Sequence, residues 1–589
     1  MRSTSPWWRR LAPIAAGFLL APPLSAAPAS RASVLLITID TLRPDALGWV
    51  AGRNETPAID KLAGEGFRFP AAVSQVPITL PSHTSILSGL YPPRHGVRDN
   101  GQVVAGSFPL LSERLRDAGY ATAAFVSGYP LEARFGLDRG FGHYDDQLPE
   151  GQQGWVERRA EGTTKAALDW LAKQKEPFFA WVHYYDPHDP YDPPRVFWKP
   201  GPRGAYDGEV TYVDHWVGQL VAAAAGKAPG GLLTVLGADH GEGLGEHQET
   251  THGYFVYDST VLVPLLFHLP GRLAPGESRA PIRLVDIAPT VLDLLGAPPL
   301  AGADGVSWRL TLEGGRQEAP AAYVETQLPW RFFGWSPLEA WRRPDWKLIV
   351  APRPELYRPD ADPREAKNLY DEERRRAGEL AAELAEVKKR PALASESAQD
   401  PEVTEKLRAL GYVGAGGGQG SVIPRGLPDP KDRIAERSLL LEGEALLRAG
   451  KPAEALALFD RVLAREPNDR YATLRSGITL LGMGRFKEAV DRLEKAVEAD
   501  PDRAEARYAL ADALTRSGQP ARAAQEWMEV ARLQPRRKEP WVNMAGALLA
   551  TGKKEQAAAA LARALEIDPE LRKQLEADPK LAPLLPRRP

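Results

Sequence analysis

Cysteine is absent from all 589 residues. That excludes disulfides, thiolate metal sites and a cysteine nucleophile together. A strong charge of either sign is also missing: 74 Lys and Arg against 77 Asp and Glu give a formal net charge of −3. Such a balance offers nothing to nucleic acid or to an anionic membrane surface. Long apolar runs are scarce. The one near the N-terminus, residues 11–20, falls well short of the roughly 20 residues that cross a bilayer, and no later segment is a candidate span.

Arg2, Arg9 and Arg10 precede that run and the small residues 25–29 follow it, the layout of an export signal with its cleavage site. The expectation is a signal peptide over residues 1–29 and a mature protein that is periplasmic or secreted. An uncleaved membrane anchor is the alternative reading.

What is present is the composition of a folded protein, 43% hydrophobic and 26% charged, on a chain too long for one hydrophobic core. Apolar, β-rich runs at 34–39, 121–126, 178–184, 232–236 and 263–267 alternate with amphipathic stretches such as 110–118 and 163–173. Nearly continuous apolar strands separated by helices predict an α/β fold, a doubly wound and mostly parallel sheet covered on both faces. Ligands bind such sheets beyond the carboxyl ends of the strands. Three of the runs lead straight into metal-competent residues there: Asp40, the cluster Asp186 to Asp189, and Asp239-His240.

Residues 414–432 are rich in Gly and Pro without periodicity and read as linker. Beyond them Gly450, Gly484, Gly518 and Gly552 recur every 34 residues, and Pro467, Pro501, Pro535 and Pro569 keep the same step. Ala455, Ala489, Ala523 and Ala557 follow in phase. A 34-residue helix-turn-helix unit is the tetratricopeptide signature, and such units stack into an all-α solenoid that binds a peptide or protein. The small residues are expected to let paired helices approach closely. The resulting division is a catalytic domain at 33–400, a linker at 401–432, four repeats at 433–570 and a cap or tail at 571–589. Because the repeats hold none of the metal-competent residues, they are expected to recruit a partner and to contribute little to the chemical step.

The segment running from Pro77-Ile-Thr-Leu-Pro-Ser-His83 to Asn100 resembles the nucleophile segment of the sulfatases, within the alkaline-phosphatase superfamily. There a Cys or Ser, then x-Pro-Ser-Arg, opens a helix. The run ending in Asp40-Thr-Leu-Arg-Pro-Asp45, the run Gly237-Ala-Asp-His-Gly-Glu242, and His183-Tyr-Tyr-Asp-Pro-His-Asp-Pro190 are similar to that family's two metal segments and its substrate-binding segment. Lys347-Leu-Ile and Glu355-Leu-Tyr match the way such domains end. The resemblance covers residue 33 to about 400.

The resemblance implies that Thr79 stands where sulfatases convert Cys or Ser to formylglycine. A threonine cannot be oxidised to that aldehyde, because its Cβ carries a methyl group. His83 replaces the family's Arg, and His252 stands where a Lys is common. The same departures are similar to the nucleotide pyrophosphatases/phosphodiesterases, which use a Thr nucleophile and an Asn further on, here Asn100, to hold a phosphoryl oxygen. The implied metal ligands are Asp40, Thr79, Asp239 and His240, for a divalent ion such as zinc, manganese or calcium. A second metal on Asp186, His188 and His252 is a candidate. Without it, His188 and His252 are expected to meet the substrate's oxyanion.

The expected function is an exported, metal-dependent hydrolase of phosphate mono- or diesters, on a small-molecule, lipid or glycan substrate, with Thr79 as nucleophile. The alternatives are a sulfuric ester hydrolase or phospho-group transferase of the same fold, and a scaffold in which only the repeats matter. His83 is read as a brace of the helix or a direct participant, and His95 as ordering its turn. His247 is a weak candidate, Asp45 and Asp189 are taken as structural, and Ser82 and Ser85 are poor rival nucleophiles. Specificity is assigned to the loops 141–155 and 193–206. The aromatic residues Trp330, Phe332, Phe333, Trp335 and Trp341 fit either a substrate mouth or a sheet-edge cover.

Overall fold

The structure is a computed structural model describing residues 31–149, 157–175, 177–395, 403 and 423–586. The expected signal peptide, most of the linker, part of the 141–155 loop and the extreme C-terminus lie outside the described residues. No described helix is long and apolar enough to cross a membrane.

Eight strands form the main sheet: β1 (Ser33–Ile39), β2 (Phe67–Val73), β3 (Ala121–Phe125), β4 (His143–Asp145), β5 (Phe178–Tyr184), β6 (Leu232–Ala238), β7 (Leu262–His268) and β8 (Gly276–Glu277). Their order is β4-β3-β5-β1-β6-β7-β2-β8. Five neighbouring pairs are parallel, and β7 runs antiparallel to both β6 and β2. Every residue of β1, β5 and β6 is buried. That is why these three read as unbroken apolar runs, as strands covered on both faces must. The sequence reading misses β2, and Pro70 explains why. Proline has no N–H for a ladder, so it argues against a strand, and here it falls within the register shift between Phe69 and Ala72.

A second, antiparallel sheet holds β9 (Ala322–Thr326), β10 (Leu338–Arg342), β11 (Lys347–Val350) and β12 (Glu355–Tyr357) in sequential order. Its core charge is Lys347, fully buried, whose Nζ donates to Asp258 Oδ1 at 2.7 Å and lies 2.8 Å from Glu365 Oε1. Arg342 closes on the same Asp258 at 3.1 Å. Together the two cations hold that carboxyl well below the usual range.

The C-terminal part is helical. Helix pairs Ile434–Arg448 with Pro452–Arg465, Arg470–Gly482 with Phe486–Ala499, Ala504–Arg516 with Pro520–Leu533, and Glu539–Ala550 with Lys554–Ile567 repeat the unit, and Leu571–Glu576 follows. The phased alanines are all fully buried, as close helix packing requires. The phased glycines work differently. Gly450, Gly484, Gly518 and Gly552 sit in the turns at φ of 72 to 81° with open space around a Cβ, so they serve a left-handed turn, not close approach. Close approach belongs to Gly443 and Gly477, whose Cβ would come within 2.5 Å of Phe459 and 2.7 Å of Leu493.

These repeats are docked against the catalytic domain. Phe332, Phe333 and Trp335 share one buried cluster with Ile434, Leu440, Phe459, Val462 and Tyr471. The rings of Phe333 and Tyr471 meet edge to face at 5.5 Å. Each large apolar side chain so buried is worth about 1.5–3 kcal/mol. Three of the five flagged aromatics therefore cover the repeat interface, whereas Trp341 packs against the Arg374–Lys388 helix and donates to Glu383. Even the end of the linker is fastened: Ser336 N–H donates to Pro428 O at 2.8 Å, and Arg353 N–H to Asp429 Oδ2 at 3.0 Å.

Candidate active site

Register builds the site. β5, β1 and β6 are adjacent and parallel, with Ile39 opposite both Tyr184 and Ala238. The next residues, Asp40 and Asp239, therefore leave neighbouring strands side by side at the carboxyl edge of the sheet. Asp40 is fixed further by its own chain: its N–H donates to Tyr184 O at 2.8 Å. Thr41 then adopts φ 53°, a left-handed conformation that is strained for a β-branched residue and costs of order 1–3 kcal/mol. Thr41 Oγ1–H to Pro187 O at 2.6 Å, and Tyr206 O–H to Thr41 O at 2.9 Å, hold it there.

Thr79 is the first residue of a buried helix, Thr79–Ser88, with Ile78 extended before it. Its Oγ1 lies 3.4 Å from Asp40 Oδ2, at an end where free backbone N–H groups favour an anion. Asn100 is folded back onto the same helix end, its Oδ1 accepting from Leu80 N–H at 2.9 Å. A role toward an anionic oxygen therefore falls to its Nδ2. Ser82 Oγ and Ser74 Oγ both donate to Asp239 O, at 2.7 and 2.6 Å, so Ser82 braces the site and is not a rival nucleophile.

Asp40, Asp239 and His240 offer ligand atoms that all lie within 4.8 Å of one another. His240 Nε2 is 3.5 Å from Asp40 Oδ1 and 3.5 Å from Asp239 Oδ2. These three atoms are buried and lack a hydrogen-bond partner among the described residues. Burial drives both carboxyls well above the usual carboxylate range and the imidazole well below its own. Buried groups of this kind are costly without a counter-charge. His240 Nδ1 meets Gly241 O at 3.0 Å. A carbonyl only accepts, so the proton is on Nδ1 and Nε2 presents a lone pair, as a metal ligand must. With Thr79 Oγ1 beside Asp40, the donor set of two carboxylates, an imidazole and a hydroxyl fits a divalent cation.

His183, not singled out from the sequence, completes the surroundings. It ends a wholly apolar stretch of β5, where one inward polar residue was itself a signal. Ser127 N–H faces its Nδ1 at 3.4 Å, so Nε2 carries the proton and lies 3.4 Å from Asp40 Oδ2. His83 is a brace. Trp181 Nε1–H donates to Thr38 Oγ1 at 3.0 Å, Thr38 Oγ1–H to His83 Nε2 at 3.0 Å, and His83 Nδ1–H to Thr79 O at 2.8 Å. Although His83, His183 and Asp239 also come within 4.8 Å, both ring nitrogens of His83 are engaged, which argues against a metal there.

The second-metal trio does not gather. Among the described residues Asp186, His188 and His252 form no ligand group within 4.8 Å. Asp186 is buried, and the charges acting on it are those of Arg159 and Glu157. Burial pushes its carboxyl up to about 7. The turn separates it from His188, whose ring stacks on Tyr185 at 4.4 Å and meets the His252 ring at 5.0 Å. His252 in turn lies 4.3 Å from the His240 ring. His188 and His252 thus reach the metal-competent cluster and Asp186 does not.

Glu242 is the other residue missed. It is fully buried, accepts from Tyr191 O–H at 2.9 Å, and its Oε1 lies 3.1 Å from His252 Nδ1. We assign the His252 proton to Nδ1, which turns the Nε2 lone pair toward the site. Glu242→Leu would remove the acceptor that holds the proton on Nδ1, so the tautomer that presents Nε2 would no longer be fixed. Steady-state kinetics should show kcat down by about 10²-fold or more, with metal content by elemental analysis unchanged.

The remaining residues behave structurally. Asp45 is clamped by Arg43 and Arg203 at 2.9 and 2.8 Å. His95 joins Ser85 Oγ to Val97 N–H, and His247 stacks on Tyr257 at 3.6 Å.

Comparisons with known proteins bear on the domains that carry these residues. The family described as Sulfatase matches residues 32–297, the family described as N-sulphoglucosamine sulphohydrolase, C-terminal matches 245–390, and tetratricopeptide-repeat families match 440–481, 474–540 and 539–580. The uncharacterized sulfatase YidJ of Escherichia coli is 24% identical over 423 residues, spanning 58% of this chain and 84% of its own. An arylsulfatase of Clostridium perfringens is 24% identical over 381 residues, spanning 48% of this chain and 79% of its own. Among solved structures, the phosphonate monoester hydrolase of Agrobacterium radiobacter superposes with a TM-score of 0.51 at 22% identity, over 61% of this chain and 95% of that one. The chain therefore carries a sulfatase-family domain of alkaline-phosphatase-like fold in its N-terminal part, followed by C-terminal tetratricopeptide repeats.

Proposed function

We propose that this sulfatase-family hydrolase acts on phosphorus esters outside the cytoplasm, with Thr79 as its covalent nucleophile. One observation carries the reading: a threonine, whose β-methyl bars oxidation to an aldehyde, is buried at a helix N-terminus with Oγ1 3.4 Å from Asp40. Asp40, Asp239 and His240 would hold a divalent ion with Thr79 Oγ1, and when bound it supplies charge that favours the threonine alkoxide and the anionic substrate.

The chain's own residues do the rest. Thr79 Oγ1 attacks phosphorus in line, the bond from phosphorus to the ester oxygen breaks, and the departing alkoxide takes a proton. The helix N-terminus and Asn100 Nδ2 face the phosphoryl oxygens. His188 and His252, held neutral by burial, present Nε2 lone pairs that can take up the nucleophile's proton and return it to the leaving group. His188 is fixed in this tautomer by Nδ1–H to Asp189 O at 2.6 Å. Water then attacks phosphorus of the phosphoryl-threonine, the bond from phosphorus to Thr79 Oγ1 breaks, Oγ1 takes up a proton lost by the water, and the phosphorus acid leaves.

That a fold neighbour is a phosphonate monoester hydrolase supports attack at phosphorus on this scaffold. The names of the sequence relatives favour a second reading, sulfate-ester hydrolysis by the same unmodified threonine. A panel of chromogenic phosphate mono- and diesters, phosphonates and sulfates, assayed with several divalent ions, separates them. We expect the highest kcat/KM on a phosphorus ester. If sulfate esters are the best substrates while mass spectrometry finds Thr79 unmodified, the proposal fails.

A further inference from the structure

The first repeat helix does more than pack. Arg437, in its opening turn, is buried at 3% exposure and reaches into the segment that carries His252. Its Nη2 donates to Thr251 Oγ1 at 2.6 Å, its Nη1 lies 3.5 Å from Thr250 Oγ1, and its guanidinium carbon sits 3.9 Å from the centre of the Tyr254 ring. One side chain from the repeats therefore grips the two residues before His252 and the aromatic ring two residues after it.

The same segment is held from the catalytic domain as well. Thr326 Oγ1–H donates to Gly253 O at 2.5 Å, and Tyr254 N–H to Glu249 Oε1 at 2.7 Å. Gly253 takes φ 96°, a left-handed conformation, and a Cβ there would stand 2.6 Å from Leu328 Cδ2, so the segment passes close to Leu328 where only glycine fits. The His252 ring lies against His240 and His188, and the repeats reach this segment through the Arg437 contacts to Thr251, Thr250 and Tyr254. Arg437 is also a cation set among carboxylates: its charge acts on Glu249 and Glu242, and together with Arg448 of the same helix on Asp189.

We propose that Arg437 is a positioning residue for the hydrolytic reaction, setting the place of His252 through Thr251 and Tyr254, so that the repeat array completes the active site. The proposal rests on reading His252 as a group that meets the substrate, and it reverses the expectation that the repeats stand apart from the chemistry. Arg437 is buried under the segment and acts through it. A displacement of about 1 Å in a group that serves the transition state costs on the order of 10²-fold in rate.

The test uses the full chain with Arg437→Ala and Arg437→Lys, assayed on whichever chromogenic ester the unaltered chain cleaves fastest. Hydrogen exchange over residues 249–256 and over the repeat helices is followed alongside. The alanine variant should lose about 10²-fold in kcat with KM changed by less than about threefold. Exchange should quicken in 249–256 alone, metal content should stay constant, and added guanidinium ion should restore part of kcat. Lysine should recover less than guanidinium does, since it cannot span Thr251 and the Tyr254 ring together. Thr251→Val, which leaves the repeat side intact, should lose rate in the same direction, and its combination with Arg437→Ala should be less than additive. Unchanged kcat in Arg437→Ala overturns the proposal. So does a loss accompanied by equally faster exchange throughout the repeat helices, which would make Arg437 a fastener of the interface only. Choosing the fastest ester keeps this result independent of the phosphorus reading: a sulfate preference would sink that reading and leave the Arg437 outcome standing.

Discussion

Thr79→Ala should reduce kcat/KM by on the order of 10⁴-fold or more while leaving the fold in place. The expectation follows from where the hydroxyl sits. It is the only hydroxyl among the described residues that combines the first position of the Thr79–Ser88 helix with contact to Asp40, and the nearby serines are already committed to Asp239 O and His95. Removing Oγ1 takes away the atom that forms the covalent bond. It disturbs little else, because the helix is anchored through Thr79 O to His83 and through Leu80 N–H to Asn100, both independent of the side chain. Circular dichroism and thermal melting should match the unaltered chain. Thr79→Ser tests the geometry from the other side, since it keeps the hydroxyl and should retain most of the activity. An alanine variant keeping even a tenth of the rate would exclude a covalent threonine.

The second large effect is expected at the metal-competent carboxylates. Asp40→Asn and Asp239→Asn should each weaken divalent-ion affinity by more than about 10²-fold. Loss of a group that merely orients a ligand already costs 10–100-fold, and these changes remove the anionic ligand itself. Activity should fall in parallel and should return only partly at high metal concentration. The structure supplies a second readout. Both carboxyls are fully buried, and each lies 3.5 Å from the same His240 nitrogen. An ion that binds only the folded chain raises its stability by mass action. The unaltered chain should therefore melt higher when metal is added, and Asp239→Asn should not. Active protein free of divalent metal by elemental analysis, or a melting shift that survives both substitutions, would remove these residues from the centre.

Several parts of this molecule were legible in the residues themselves. β1, β5 and β6 are buried on both faces, so their composition alone marks them as central strands, and the polar residues following each run mark the edge that carries the candidate site. The 34-residue period survives because every repeat solves one local problem, a left-handed turn at the glycine and a tight helix contact at the alanine, with local means. Thr79 could be placed at a helix start because Pro81 suits only a first turn.

What the sequence left open depended on contacts between distant segments. Register is not written in any one strand. Only the pairing of Ile39 with both Tyr184 and Ala238 brings Asp40 beside Asp239 and sets His183 against Asp40. The grouping of Asp186 with His188 and His252 failed for the same reason, because spacing along a chain does not reveal which way a turn directs its side chains. β2 was hidden by Pro70, whose cost is absorbed by an irregular register that no local pattern announces. The aromatics Phe332, Phe333 and Trp335 were ambiguous until the repeats were seen to cover them. Arg437 lay in an amphipathic helix indistinguishable by pattern from its neighbours. Sequence by itself determined the central strands, the repeat and the chemical types available at the sheet's edge, because burial and backbone geometry act locally. The tertiary structure alone decided which of those groups meet, since hydrogen bonds and charge pairs across more than 180 residues, such as Arg437 to Thr251, exist only once the chain has closed on itself.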